Sequence, residues 1–217
     1  MHKKYIYIIL ILFNFLFTQK LLIPMDQTQN DHLKAYGIAF FALTNKINVD
    51  WLLNYNGGSF MINNNNIIKN ECILRGVTYS EINSSEINNI FQAIEENNMD
   101  IVLLEKEPKI AVYSPPDKLP WDDAVTLALT YAEIEYTIIF DEEVLTNKLS
   151  EYDWLHLHHE DFTGQYGKFY KNYRNKPWYK KMENDFNNIA KKHGFSSVPN
   201  LKKGVALKRL HPVEDAI

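Results

Sequence analysis

Residues 109–114 read KIAVYS, and the fold turns on them. A strand with one wet face alternates apolar and polar residues. Ile110 to Tyr113 do not, which is the pattern of a strand covered on both faces. Downstream, the loop PPDKLP leads into a helical pattern over Trp121–Ala132. Asp122 and Asp123 fall in its first turn, where carboxylates complement the helix dipole. Tyr136–Phe140 predicts the next strand, Asp141–Leu149 a polar stretch with a short helix, and Tyr152–Leu157 a further strand. A long amphipathic helix over Trp178–His193 opens after Pro177 and closes at Gly194. A last helix covers about Asn200–Leu210.

Upstream of KIAVYS the same alternation holds. KLLIPM (Lys20–Met25) predicts a strand, and Asp31–Lys46 a helix capped by Asn30 or Asp31. Val49–Leu53 predicts a second strand, ending in the loop NYNGGSF. Asn65–Leu74 predicts a helix stopped by Gly76, and Val77–Ile82 a third strand. Ile87, Ile90, Phe91 and Ile94 mark a third helix, capped by Ser84 or Ser85. Strands alternating with helices predict an α/β fold with parallel sheets built from βαβ units and right-handed crossovers. The expected divisions are 1–18, 19–104 and 105–217. The second half reads as incomplete, because KRLHPVEDAI has no apolar run where another strand would follow.

Composition excludes several classes. The chain has 217 residues, 46% of them hydrophobic, which suits a packed core and not a disordered chain. Lys+Arg number 23 against 27 Asp+Glu, a balance that argues against a nucleic-acid partner, which needs clustered basic surface. The single cysteine, Cys72, excludes an internal disulfide and a Cys-rich zinc module. Residues 1–18 read MHKKYIYIILILFNFLFT. Lys3 and Lys4 precede an apolar run from Tyr5 to Phe17, interrupted by Asn14. The run suits a signal peptide and is too short for a transmembrane helix. The expectation is an exported protein, periplasmic or extracellular, cleaved between Thr18 and Gln19 and without a stable membrane span afterwards.

The densest polar constellation is WLHLHHEDFTGQYGKFY, Trp154–Tyr170. His156 and His158 lie two apart on a strand and share a face. His159, Glu160 and Asp161 follow at the strand's carboxyl end, the ligand-binding edge of open parallel sheets. His158, His159, Glu160 and Asp161 are candidate acid/base groups, because imidazole titrates near neutral pH. His156, His158 and Glu160 are candidate ligands for a divalent metal, the one cofactor these residues suggest; no HExxH spacing is present. Gly164, Gln165 and Tyr166 are candidate ligand-binding residues. His156 reads equally as a buried histidine with a satisfied hydrogen bond.

Two further clusters carry weaker signals. Asp26 sits just past a strand end, ahead of a helix N-terminus; with Thr28 and Asn30 it also reads as a turn and capping group. Gly57, Gly58 and Ser59 form a loop after a strand that could cradle an acyl or phosphate oxygen, without matching GxGxxG or a phosphate loop. Ser114 ends a strand without a GxSxG elbow, and Asp122 and Asp123 read as capping residues before catalytic ones.

KLLIPMD, HLKAYGIAF, VDWLLNYNGGSF, KIAVYSPPDKLPWDDAVTLALTYAEI and YDWLHLHHEDFTGQYGKFY together resemble an exported Bacteroidetes family labelled asparagine synthetase B, over about Lys20 to Phe195. The resemblance implies two flavodoxin- or class I glutamine amidotransferase-like halves. It also implies a longer protein, in which a Gly-rich strand–Cys segment beyond this chain supplies a nucleophile. The expected function is an amidotransferase- or hydrolase-like enzyme domain acting on a small molecule through the His/Glu/Asp loop. The alternatives are a non-catalytic periplasmic binding protein for a small molecule or glycan, and the ATP-dependent asparagine synthesis that the label implies. For the last, residue 2 is His where such synthetases expose Cys, and no SGGxDS loop is present.

Overall fold

The computed structural model describes residues 19–114, 123–157 and 171–210. The chain divides into two compact units, Met1–Glu105 and Lys106–Ile217.

In the first unit the order is β1 (Lys20–Ile23), α1 (His32–Thr44), β2 (Val49–Leu53), a 3₁₀ turn (Tyr55–Gly57), β3 (Phe60–Asn63), α2 (Asn66–Arg75), β4 (Ser80–Ile82), α3 (Ser84–Glu96) and β5 (Asp100–Leu104). The five strands form one sheet in the order β4-β1-β3-β2-β5. Every pairing is antiparallel: β1 with β3 and β4, and β2 with β3 and β5. β1 through β4 therefore trace a split βαβ of ferredoxin-like connectivity, extended by α3 and β5.

The expected parallel, flavodoxin-like first half is corrected here. The expectation rests on strand–helix alternation, which β3 and β5 interrupt, and is supported by apolar runs such as LLI. Such runs report coverage of both faces, whatever the strand direction. Leu21 and Ile23 pack with α1 and α2 through Ala35, Ile38, Ala42, Ile68 and Cys72. Leu22 turns to the opposite face and packs with Leu52, Met61, Ile82 and the α3 residues Ile87, Ile90 and Ile94. Each of these α3 isoleucines, spaced to share one helix face, contributes about 1.5–3 kcal/mol by burial.

Capping explains where the helices begin. Asp31 caps α1, its side chain accepting from Lys34 N at 3.0 Å. Asn65 caps α2, which ends at Gly76 with φ +69°. Asn83, not Ser84 or Ser85, caps α3. Its side chain accepts from Ser85 N and Glu86 N while Glu86 accepts from Asn83 N, a complete capping box.

In the second unit the order is β6 (Ile110–Tyr113), α4 (Ala124–Tyr131), β7 (Thr137–Ile139), α5 (Asp141–Leu145), a 3₁₀ turn (Lys148–Glu151), β8 (Trp154–Leu157), α6 (Pro177–Lys192) and α7 (Val198–Leu210). The sheet order is β7-β6-β8, and β6 runs parallel to both neighbours. This sheet is the parallel one that βαβ alternation predicts. Ile110 and Val112 pack against α4 through Leu129 and Val125. Ala111 and Tyr113 face the other way, onto a core with Val144, Ala190, Leu201 and Val205 from α5, α6 and α7. All four β6 side chains are thereby buried. No helix among the described residues is long and apolar enough to cross a membrane.

Candidate functional site

The second unit brings the relevant groups together. From β6 the chain passes through α4 to β7, then through α5 to β8 on the other side of β6. The strand order reverses at β6, and ligands of open parallel sheets enter outside the carboxyl ends at such a point. Parallel register pairs Val112 with His156 and Tyr113 with Leu157. Leu155 and Leu157 pack into the core shared with α5, α6 and α7, so His156 lies on the α4 face.

There His156 Nε2 lies 3.1 Å from Asp123 Oδ1. Asp123 is the N-cap of α4, and the same oxygen accepts from Val125 N at 2.8 Å and Thr126 N at 3.2 Å. One carboxylate thus caps a helix and holds an imidazole. The side chains are 7% and 19% exposed, so the pair is shielded without being sealed. Burial pushes the Asp123 carboxyl up. The donors Thr126 N and Val125 N, with His156, outweigh that and hold it below the usual carboxylate range. Trp154 flanks the imidazole edge-on, 6.5 Å between ring centroids. Ser114 stands two residues beyond Val112. Its N donates to Ile139 O at 3.1 Å, extending the β6–β7 ladder, which places Ser114 on the His156 face.

The chain matches no protein-family model, no curated protein and no solved structure. The chemistry of the site rests on its own residues.

Of the tract singled out in the sequence, His156 is described. His158, His159, Glu160, Asp161, Gly164, Gln165 and Tyr166 lie outside the described residues, as does Asp122. Among the described residues no group of three or more His, Cys, Asp or Glu side chains gathers in a way that could hold a metal ion. Of the expected metal set, only His156 can be placed. Asp123 is the candidate residue that sequence reasoning undervalues, because its capping pattern is local and does not show its contact with His156. The missed signal is topological. A helix following a parallel strand begins at that strand's carboxyl end, so its N-cap stands beside whatever the neighbouring strands present there.

The opposite face of the same sheet carries a buried polar cluster with a structural role. Asp141, fully buried at the start of α5, accepts from the Tyr113 hydroxyl and from Lys202 Nζ, the latter at 2.8 Å. The Lys202 ammonium also lies over the Phe186 ring at 3.9 Å, and Arg209 over Tyr113 at 4.4 Å. A buried carboxylate without such partners would be strongly unfavourable, so the cluster fixes α7 on the sheet.

In the first unit the structure brings Asp26 and the Gly57–Ser59 loop together at the carboxyl ends of β1 and β2. Met25 N donates to Asn56 O at 3.0 Å, and a Cβ on Gly57 would lie 2.9 Å from Asp26 N. Their polar groups are used locally. The Asp26 carboxylate accepts from Thr28 N at 2.9 Å and Thr28 Oγ1 at 2.6 Å. Those bonds hold its pKa below the usual range. Ser59 is buried, and its Oγ donates to Asn56 O at 3.2 Å. Trp51 Nε1 donates to Gly58 O at 3.1 Å. Gly57 and Gly58 have φ of +79° and +93°, so they serve the turn between β2 and β3.

Proposed function

We propose that the protein is an exported α/β enzyme of amidotransferase- or hydrolase-like type, acting on a small molecule at the carboxyl edge of its parallel unit. The observation that carries this reading is the Asp123–His156 pair, set where the strand order reverses. A base oriented by a third group is what acid–base and nucleophilic catalysis require. His158, His159, Glu160 and Asp161 follow β8 directly in sequence and enter the proposal as further acid/base groups. Gly164, Gln165 and Tyr166 enter it as ligand-binding residues. The βαβαβ order of the second unit and the motifs from KIAVYS to GQYGKFY support the resemblance to the exported family labelled asparagine synthetase B. The Lys3-Lys4 pair ahead of an apolar run supports export. ATP-dependent asparagine synthesis ranks below this reading, because the chain carries no SGGxDS loop.

The test is a panel of small amides, esters and glycan-derived compounds, read by turnover of the longer protein that the resemblance implies, which would carry the nucleophile, and by melting shift of this chain. Turnover that falls by roughly 100-fold or more in His156→Ala and in Glu160→Ala is the expected result. A melting shift without turnover would make the protein a binding protein instead. Turnover indifferent to His156 would remove the site.

A further inference from the structure

We infer that Asp123 is a positioning residue that fixes His156 with its proton on Nε2, which makes Nδ1 the working nitrogen of the site. The inference deepens the reading above and rests on it for its functional meaning.

Three nitrogens approach Oδ1 of Asp123: Val125 N at 2.8 Å, Thr126 N at 3.2 Å and His156 Nε2 at 3.1 Å. Two of them are backbone N–H groups at a helix N-terminus, where negative charge is favoured. An ionised carboxylate has no proton to give. The third contact is therefore a hydrogen bond only if Nε2 carries the hydrogen. In the neutral ring the lone pair then sits on Nδ1. In the imidazolium Nδ1 carries the second proton. In either state the proton that comes and goes does so at Nδ1, whether that atom acts as a base or donates to an electrophile.

The surroundings keep the arrangement in place. His156 is anchored in β8 by its register with β6, and Asp123 is anchored by capping α4, whose Val125 and Leu129 pack under Ile110 and Val112. The donor and acceptor stand 33 residues apart in sequence on two elements of one packed unit. Neither moves without disturbing a strand or a helix.

The experiment reads the imidazole without a substrate. In ¹⁵N-edited spectra of the purified full chain, His156 is expected to show a protected ring N–H on Nε2 and none on Nδ1. Asp123→Ser keeps a good helix cap while shortening the side chain away from the ring. Exchange of the Nε2 proton should then accelerate by roughly 10- to 100-fold, the loss of a hydrogen bond to a charged acceptor. Asp123→Asn, whose carbonyl still accepts, should restore part of the protection. A ring proton found on Nδ1 in the wild type would overturn the inference. So would unchanged exchange in a folded Ser variant, checked by circular dichroism. The signature needs no turnover, so it can stand if the enzyme reading fails, and it can fail while turnover still depends on His156.

Discussion

Gly57 lies directly against the backbone of Met25. A Cβ at Gly57 would stand 2.6 Å from the Met25 carbonyl carbon, and its φ of +79° is one that L side chains rarely adopt. The turn between β2 and β3 and the segment leaving β1 are thereby clamped together at one end of the antiparallel sheet. Gly57→Ala should cost more than the roughly 1–2 kcal/mol of a left-handed Ala alone, because the obstacle is backbone and cannot rotate away. Gly76, with φ +69° and open space around it, is the control. Urea denaturation of the two Ala variants checks this, and equal losses would refute the clamp.

The same contact shows why the first unit was only partly legible. β1, α1, β2, α2 and α3 follow from apolar spacing and capping residues. β3, with the short sequence FMIN, hides behind the Gly-Gly turn, and DIVLL of β5 follows the third helix and runs straight into the charged EKEP, without a turn signal to set it off. Without those two strands the remainder imitates βαβαβ, and the two-sided burial of Leu21, Leu22 and Ile23 strengthens the illusion. In the second unit no hairpin intervenes among the described residues, and the alternation gives the parallel sheet. For the site, His156 was visible as one of a pair on a strand. Its tie to Asp123 was not, because capping is a local pattern and the imidazole contact spans 33 residues.

Lys202 is expected to matter more than a surface lysine. Lys202→Met removes the charge facing Asp141, which is 0% exposed, and leaves the carboxylate with the Tyr113 hydroxyl. Breaking a fully buried pair costs about 3–5 kcal/mol. The Lys202 side chain is 32% exposed, so a loss of roughly 2–3 kcal/mol is expected. Pairing it with Asp141→Asn should recover part of that loss, because no charge is then stranded. Thermal melts of the two single variants and the double variant measure the coupling. Additive effects would show that the pair does not hold α7.

Cys72 should behave as core and not as chemistry. It is fully buried beside Ile68 and Ala39, and burial first, then the Glu71 charge, pushes its thiol up to about 12. The thiolate is the reactive form, so the native protein should resist a thiol reagent near neutral pH, with labelling that follows unfolding. Stopped labelling across a urea series checks this. Fast labelling in the native range would place Cys72 at an accessible surface. Cys72→Ser should cost about 1–3 kcal/mol, because a hydroxyl replaces a thiol among apolar neighbours.

Acid should weaken the second unit through Asp123. Its folded pKa is held below the ordinary 3.8, so the folded state binds fewer protons than the unfolded chain in the window beneath that value. Stability linked to this carboxyl is therefore fully present above the unfolded pKa and is lost as pH falls through the folded one. Asp123→Asn caps α4 about as well but does not titrate. Between about pH 5 and pH 2 the wild type should lose stability more steeply than the Asn variant, with the two curves running parallel just above that window. Urea midpoints at half-unit pH steps make the comparison. Parallel curves throughout the acid range would mean that the Asp123 carboxylate carries no charge-dependent share of the fold, and that its contacts with Val125, Thr126 and His156 do not favour the ionised form.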